Sequence, residues 1–286
     1  MPTKIEKDAL SGRETTGHEW DGVKELNTPL PTWWVYTFYA TIVFAVVYCA
    51  LYPSWPWLNG HTSGLLGYSS RAELTQSLAV QAKSRAGFVD RIRAASLAEI
   101  AKEPELFNFA MAGGRSAFQT NCVQCHGAGG AGSKGFPNLV DDDWMWGGSL
   151  EQIYATIGHG IRNADDKAHQ SMMPRFGADG LLTGAQVEAV TDYALSLSGH
   201  GKATPEGAKI WQEQCVACHQ ADGKGNQELG APNLTDGIWL YGGDRASVYR
   251  SIFFARNGSM PAWAGRLDEA TIKMLAIYVH ALGGGR

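Results

Sequence analysis

"NCVQCHGAGGAG" occupies residues 121–132, and a near copy, "QCVACHQADGKG", occupies residues 214–225. Both stretches carry two cysteines, separated by two residues, with a histidine directly after the second cysteine. Together they hold four of the five cysteines in the chain. Disulfide frameworks are denser and more scattered than this. The pattern therefore indicates a group bound at one short turn of the chain, and its repetition indicates two such groups.

The order Cys-x-x-Cys-His is the attachment signature of c-type haem. On one helical turn, the two thiols can each form a thioether with a haem vinyl group, and the adjacent histidine can bind the iron. We therefore predict two covalently bound haem c groups. The attachment residues are Cys122, Cys125 and His126 for one haem, and Cys215, Cys218 and His219 for the other.

A zinc site and a redox dithiol are the alternatives for these cysteines. Zinc would need two further ligands at matching spacing in each repeated module, and no second cysteine pair exists outside the two motifs. Pooling all four thiols into one site is opposed by the complete repeat that follows each motif. A thioredoxin-like dithiol would be accompanied by alternating strands and helices, which the sequence does not predict.

The sequence around the motifs is itself duplicated. "GFPNLVDDDWMWGG" from Gly135 aligns without a gap with "GAPNLTDGIWLYGG" from Gly230, and helix-like segments capped by Thr183 and Asp268 close the two copies. Internal similarity of this kind indicates two homologous modules. We predict an all-α fold with tandem cytochrome c domains over residues 108–199 and 200–286, joined by a segment rich in Gly, Ser and Thr.

Each iron needs a sixth ligand, and the aligned candidates are Met173 and Met260, both followed by proline. A thioether ligand raises the reduction potential of a haem. Met172 competes with Met173 as a weaker choice. Each methionine could serve its own module, or the modules could exchange methionines, and the spacing leaves both arrangements open. The carbonyls of Pro137 and Pro232 are candidate partners of the ligand histidines, although these prolines could equally well just shape turns.

Residues 33–54 are predicted to form a transmembrane helix. No charged residue lies between Trp33 and Tyr52, and tryptophans flank the stretch on both sides. Basic residues precede the span, and the next one after it is Arg71. The positive-inside rule then predicts a cytoplasmic segment over residues 1–32, and a periplasmic helical connector over residues 55–107 that begins helices near Ser70 and Ser96. The predicted location is the bacterial inner membrane, crossed once.

Two haems with histidine and methionine ligands have no open position, so they transfer single electrons and do not transform substrates. We therefore predict no catalytic residue. The net charge of −4 excludes a basic surface for nucleic acid.

The chain resembles the dihaem subunit of cbb3-type cytochrome c oxidase, which is subunit III or the P subunit. The resemblance is carried by "TTGHEWDGVKELNTPLPTWW" from Thr15, the single span, and the two modules with their "PNL" and "MP" signatures. It implies partners: a haem-copper catalytic subunit, a monohaem cytochrome c subunit, a small helical subunit and a soluble cytochrome c donor. It also implies electron delivery for O2 reduction coupled to proton pumping. The alternative is a membrane-anchored dihaem shuttle or the cytochrome subunit of a periplasmic dehydrogenase.

Overall fold

A computed structural model describes residues 4–285 of the chain. Helices dominate it, as predicted, and two short hairpins that were not predicted accompany them. The strands are β1 (Thr15–Trp20), β2 (Val23–Leu26), β3 (Pro56–Trp57) and β4 (Gly60–His61). The helices are α1 (Thr32–Leu51), α2 (Ser70–Ala94), α3 (Leu97–Lys102), α4 (Pro104–Asn121), α5 (Val123–His126), α6 (Leu150–His159), α7 (Gly184–Leu197), α8 (Pro205–Gln214), α9 (Val216–His219), α10 (Arg245–Phe254) and α11 (Glu269–His280). The chain divides into two compact units, one ending at Ala82 and one beginning at Lys83.

The first unit begins with a β-hairpin. Strands β1 and β2 pair antiparallel, with Trp20 opposite Val23 at the turn. Asp21 and Gly22 form that turn with φ angles of 51° and 86°. Positive φ at both central residues is the type I′ geometry, which matches the twist of paired strands and favours an Asp-Gly sequence. The short-range turn chemistry therefore explains this departure from an all-helical chain.

Helix α1 has the length and composition of a membrane span. Its 20 residues include no Asp, Glu, Lys or Arg, and none of them is buried. At 1.5 Å per residue such a helix is about 30 Å long, which matches a bilayer core. The helix ends at Leu51, and Tyr52 is extended because a residue that precedes proline, here Pro53, disfavours the α conformation.

Serine side chains cap the connector helices α2 and α3 at, or one residue before, the predicted positions. Ser96 opens α3 with a complete capping box, in which its hydroxyl accepts from the Glu99 amide and the Glu99 carboxylate accepts from the Ser96 amide. Helix α2 begins at Ser70, but the hydroxyl that accepts from its first turn belongs to Ser69, one residue earlier than predicted. Pro104 at the first turn of α4 starts that helix, where a missing amide proton costs nothing.

Two hydrophobic clusters form the core of the second unit, and each takes helices from both sequence repeats. The first cluster packs α3, α4 and α6 against α11, from the end of the second repeat. The second cluster packs α8 and α10 against α7, from the end of the first repeat. The two repeats have therefore exchanged their C-terminal helices. The boundaries 108–199 and 200–286 stay predictions about sequence units, and the packed clusters divide the chain differently.

Glycine makes both helix crossings close. A Cβ on Gly114 of α4 would lie 2.2 Å from the Met274 carbonyl oxygen, and one on Gly207 of α8 would lie 2.3 Å from the Ala189 carbonyl oxygen. Four residues further along each helix, a buried aromatic ring fills the crossing: Phe118 in the first cluster and Trp211 in the second. These crossings place the end of each long helix, and hence each Cys-x-x-Cys-His motif, at the edge of a cluster.

Candidate haem sites

Each Cys-x-x-Cys-His motif forms one helical turn directly after a long helix. In the first motif, the amides of Cys125 and His126 donate to the Cys122 carbonyl at 3.2 and 2.9 Å. The corresponding bonds to the Cys215 carbonyl in the second motif measure 3.1 and 2.9 Å. This is the one-turn geometry that the sequence predicts for attaching one planar group through two thiols and one imidazole.

A proline carbonyl orients each motif histidine. Nδ1 of His126 lies 3.1 Å from the Pro137 carbonyl oxygen, and Nδ1 of His219 lies 3.1 Å from the Pro232 carbonyl oxygen. A ring nitrogen that donates to a carbonyl fixes the tautomer and leaves Nε2 with its lone pair for a metal. The contacts predicted for the "PNL" turns are therefore present in both modules.

Burial favours the neutral form of both motif histidines and of the first cysteine in each motif. It lowers the pKa of the His126 and His219 imidazoles, against a smaller opposing effect of the proline carbonyls. It raises the pKa of the Cys122 thiol to about 11 and that of Cys215 to about 12, and the neighbouring cysteine adds to both shifts. A redox dithiol needs a thiol whose pKa is lowered, so these values argue against that alternative.

Each predicted methionine packs in the cluster that holds the Cys-x-x-Cys-His motif of the other repeat. Met173, from the first repeat, packs against the second cluster, which also contains Cys215. Met260, from the second repeat, packs against the first cluster, which also contains Cys122. Met172 is 65% exposed, whereas Met173 is half-buried, so Met173 is the inner member of the pair.

The loops that carry the methionines, residues 171–174 and 258–261, are here named the two Met-Pro loops. Met260 exchanges two backbone hydrogen bonds of 2.9 Å with Ile161, and Asn163 Nδ2 donates to its carbonyl at 2.8 Å. Met173 is held by Asn257, whose side-chain amide accepts from its N–H and donates to its carbonyl, both at 3.2 Å. Sequence reasoning missed both asparagines, although each follows the repeated helix that ends near His159 or Phe254.

One cavity of about 710 Å³ brings the predicted site residues together. Its lining includes both cysteine pairs, both motif histidines and both predicted methionines. Trp211 also lines it, 6.0 Å from His219 between ring centroids. Its buried Nε1–H has no hydrogen-bond partner within the part of the chain that the structure describes, so an acceptor bound in the cavity could satisfy it.

The donor set fits haem better than a bare metal ion. Across residues 4–285, no three His, Cys, Asp or Glu side chains converge on a point that could hold an ion. Each half of the cavity instead offers two thiols on one helical turn, one imidazole with Nε2 free and one thioether. Covalent attachment to a large flat group, with an N and an S ligand for its iron, uses every one of these donors.

A Cys-x-x-Cys-His turn facing a cavity, with a methionine delivered by a distant loop, defines the class of c-type cytochromes, and comparison with family models agrees. Residues 111–198 match the model for cytochrome c, and residues 202–279 match the model for cytochrome c oxidase, cbb3-type, subunit III. Residues 12–59, which include the hairpin and α1, match the N-terminal domain of cytochrome oxidase-cbb3, FixP.

Curated relatives of the chain agree over its full length. It is 54% identical over 290 aligned positions to the cbb3-type cytochrome c oxidase subunit FixP of Bradyrhizobium diazoefficiens, covering 100% of both chains. It is 50% identical over 289 positions to subunit CcoP of Cereibacter sphaeroides, again covering 100% of both. The chain therefore belongs to the family of cbb3-type cytochrome c oxidase subunits FixP and CcoP, which confirms the resemblance seen in the sequence.

Proposed function

We propose that this chain is the membrane-anchored dihaem cytochrome c of a cbb3-type terminal oxidase. In this role it relays electrons from a periplasmic donor cytochrome to the haem-copper catalytic subunit, where O2 reduction is coupled to proton pumping. The observation that carries the proposal is the single cavity lined by two complete sets of haem c donors. The relatives named above, all oxidase subunits, supply the identity of the complex.

Two covalently bound haem c groups supply one-electron chemistry when they are in place. Cys122 and Cys125 would hold the first through thioethers, and His126 would bind its iron. Cys215 and Cys218 would hold the second in the same way, and His219 would bind its iron. The packing supports Met260 as the thioether ligand of the haem that His126 would bind, and Met173 as that of the haem that His219 would bind, which is the exchanged arrangement.

The protein itself would hold the ligands of each iron in place. The carbonyls of Pro137 and Pro232 fix the imidazole planes, and the Met-Pro loops carry the thioethers into the cavity. An iron bound by both a fixed imidazole and a fixed thioether would offer no free position for O2. These properties favour an electron carrier over an oxygen-binding or peroxide-reducing haem protein.

The anchor and the charges support a topology. Lys4, Lys7, Arg13 and Lys24 precede α1, which favours a cytoplasmic N-terminus, one crossing of the bacterial inner membrane and periplasmic haem modules. A tether raises the effective concentration of the haems beside their membrane partners. Those partners are the catalytic subunit, a monohaem cytochrome c subunit and a small helical subunit, with a soluble cytochrome c as donor.

Purification of the chain from membranes in mild detergent tests the assembly. We expect haem b and copper to co-purify with it, together with O2 uptake driven by reduced cytochrome c. A preparation with only a c-type spectrum and no O2 uptake would instead favour the free-standing shuttle or the dehydrogenase subunit.

The cofactor sites are tested separately with Cys122→Ala. One covalent haem should be lost while the second module keeps its own, measured as the haem-to-protein ratio and by haem staining after denaturing electrophoresis. Gln124→Ala, an exposed position inside the same motif, is the matched control and should retain both haems. Unchanged haem content in Cys122→Ala would contradict the site assignment.

A further inference from the structure

We infer that Arg162 is a positioning residue that fastens both Met-Pro loops at once, so that the two methionine ligands are held by one side chain. Its Nε donates to the Gly258 carbonyl at 2.6 Å, and its Nη1 donates to the Ser171 carbonyl at 2.8 Å. Gly258 lies two residues before Met260, and Ser171 lies two residues before Met173. The inference rests on the proposed function, in which these two methionines are haem ligands.

The chemistry of arginine suits this bridge. A guanidinium presents several N–H donors in one rigid plane, so two carbonyls at different angles can be bound by one head group. Arg162 is half-buried and lines the cavity, and among residues 4–285 no carboxylate forms an ion pair with it. Its donors are directed instead at backbone oxygens of the two ligand loops, which indicates a positioning role.

The backbone of Arg162 is fixed where it is needed. Its φ of 48° lies in the left-handed region, which a side chain other than glycine rarely adopts. Its N–H donates to the His169 carbonyl at 2.7 Å, and its neighbour Ile161 is paired with Met260 through two backbone bonds. A backbone in an unusual conformation that hydrogen bonds hold in place is typical of a residue whose side chain must point to one site.

The repeat offers a natural comparison. Asn257 occupies the position in the second repeat that Arg162 occupies in the first. Asn257 binds Met173 directly through both ends of its amide, whereas Arg162 reaches one carbonyl in each loop. Loss of Asn257 should therefore weaken one methionine ligand, and loss of Arg162 should weaken both.

The test uses the full chain in its purified complex and the red charge-transfer band of ferric haem with a methionine–iron bond. Arg162→Gln should lower the band, normalised to haem content, by more than the loss of one ligand can produce. It should also lower the pH at which the band disappears on alkaline titration by about one unit, a tenfold change in ligand exchange. Asn257→Ala should remove at most the contribution of one haem.

Arg256→Gln is the matched control. Arg256 lines the same cavity, and its substitution removes the same positive charge. Its guanidinium donates to the Tyr241 carbonyl and lies over the Tyr241 ring, and it does not hold a Met-Pro loop. We expect its band to remain at the wild-type amplitude. Arg162→Lys keeps the charge but loses the planar guanidinium, so its band amplitude should decrease as in Arg162→Gln. It serves as the test variant if Arg162→Gln fails to accumulate.

Wild-type amplitude and wild-type alkaline midpoint in the Arg162 variants, or an equal change in Arg256→Gln, would overturn the inference. Absence of the band from the wild-type protein would instead overturn methionine ligation, which belongs to the proposed function. The two failures are therefore distinguishable in the same set of spectra.

Discussion

The loop that carries Met260 is held by backbone pairing as well as by side chains, and the loop that carries Met173 is held through side chains. Met260 is paired with Ile161 through the backbone and also accepts from the Asn163 side chain, whereas the N–H and the carbonyl of Met173 are both bonded to the side chain of Asn257. The histidines differ too, since His219 is buried and His126 is half-buried. Duplication thus preserved the attachment motif while the two modules came to hold their methionines by separate means.

The largest expected effect concerns the two methionines proposed as haem ligands. Met260→His and Met173→His should each lower one of the two reduction potentials by about 100 mV or more, because axial ligands control a wide span of haem potential. A spectroelectrochemical titration measures both. Met172→His is the control, and its exposed side chain should leave both potentials unchanged.

The same variants test the exchange of methionines. In a Cys122→Ala/Cys125→Ala background, which should retain only the haem of the second module, Met173→His should shift the remaining potential and Met260→His should leave it in place. The reverse result would mean that each methionine binds the haem of its own repeat, and the exchanged arrangement would be wrong.

The next largest effect is expected from substituting the glycines at the two helix crossings. Gly114→Ala and Gly207→Ala each place a Cβ against a backbone carbonyl, so each should lower the free energy of unfolding by about 1–3 kcal/mol. Similar losses are expected because the two crossings are equally tight. Urea unfolding followed by haem absorbance measures the change.

Gly87→Ala is the control for these crossings. Gly87 lies in α2 with nothing within 4 Å of the added methyl, so the change should stabilise the helix by about 0.5–1 kcal/mol. If Gly114→Ala or Gly207→Ala proved as harmless as Gly87→Ala, the close packing between exchanged helices would be wrong.

A smaller expected effect is a difference between the two modules in how their stability depends on pH. Asp143 of the first repeat corresponds to Ile238 of the second. Burial, reinforced by Asp236 and Asp141, raises the pKa of Asp143 to about 6 from 3.8. Between these pH values the folded chain binds more protons than the unfolded chain, so stability falls as pH rises through this window.

Asp143→Asn removes that dependence. It should raise the free energy of unfolding near neutral pH by about 1 kcal/mol, once solvent screening of a half-buried group is allowed for, and change little near pH 4. Urea titrations at the two pH values measure the difference. Asp166→Asn, at an exposed position of the same module, is the control, and an equal gain there would point to net charge as the cause.

The smallest expected effect lies just after the attachment histidines. Gly127 and Gln220 both end the motif helix in the left-handed region, with φ of 77° and 64°. Glycine adopts this conformation without strain and glutamine does not. Gln220→Gly should therefore raise the free energy of unfolding by about 0.5–1 kcal/mol, and Gly127→Ala should lower it by about 1 kcal/mol. Opposite signs in the same urea assay would support the difference, and equal signs would contradict it.

Local chemistry was readable in the sequence. The one-turn Cys-x-x-Cys-His geometry, the proline carbonyls behind the histidines, the caps at Ser96, Thr183 and Asp268, and the charge-free helix all follow from residues close together in the chain. The β1–β2 hairpin was equally local, since its Asp-Gly turn is a known signal, and it was overlooked.

Only the tertiary structure decides whether the helices of each repeat pack with their own C-terminal helix or with that of the other repeat. Duplicated segments carry the same local pattern, so α4 and α8 present equivalent surfaces to α7 and α11, and no motif distinguishes the pairings. Helix α7 lies directly before α8, and closing the short connection over residues 198–204 costs less entropy than a longer return. That pairing leaves α4 for α11, and the methionine loops follow their helices into the opposite clusters.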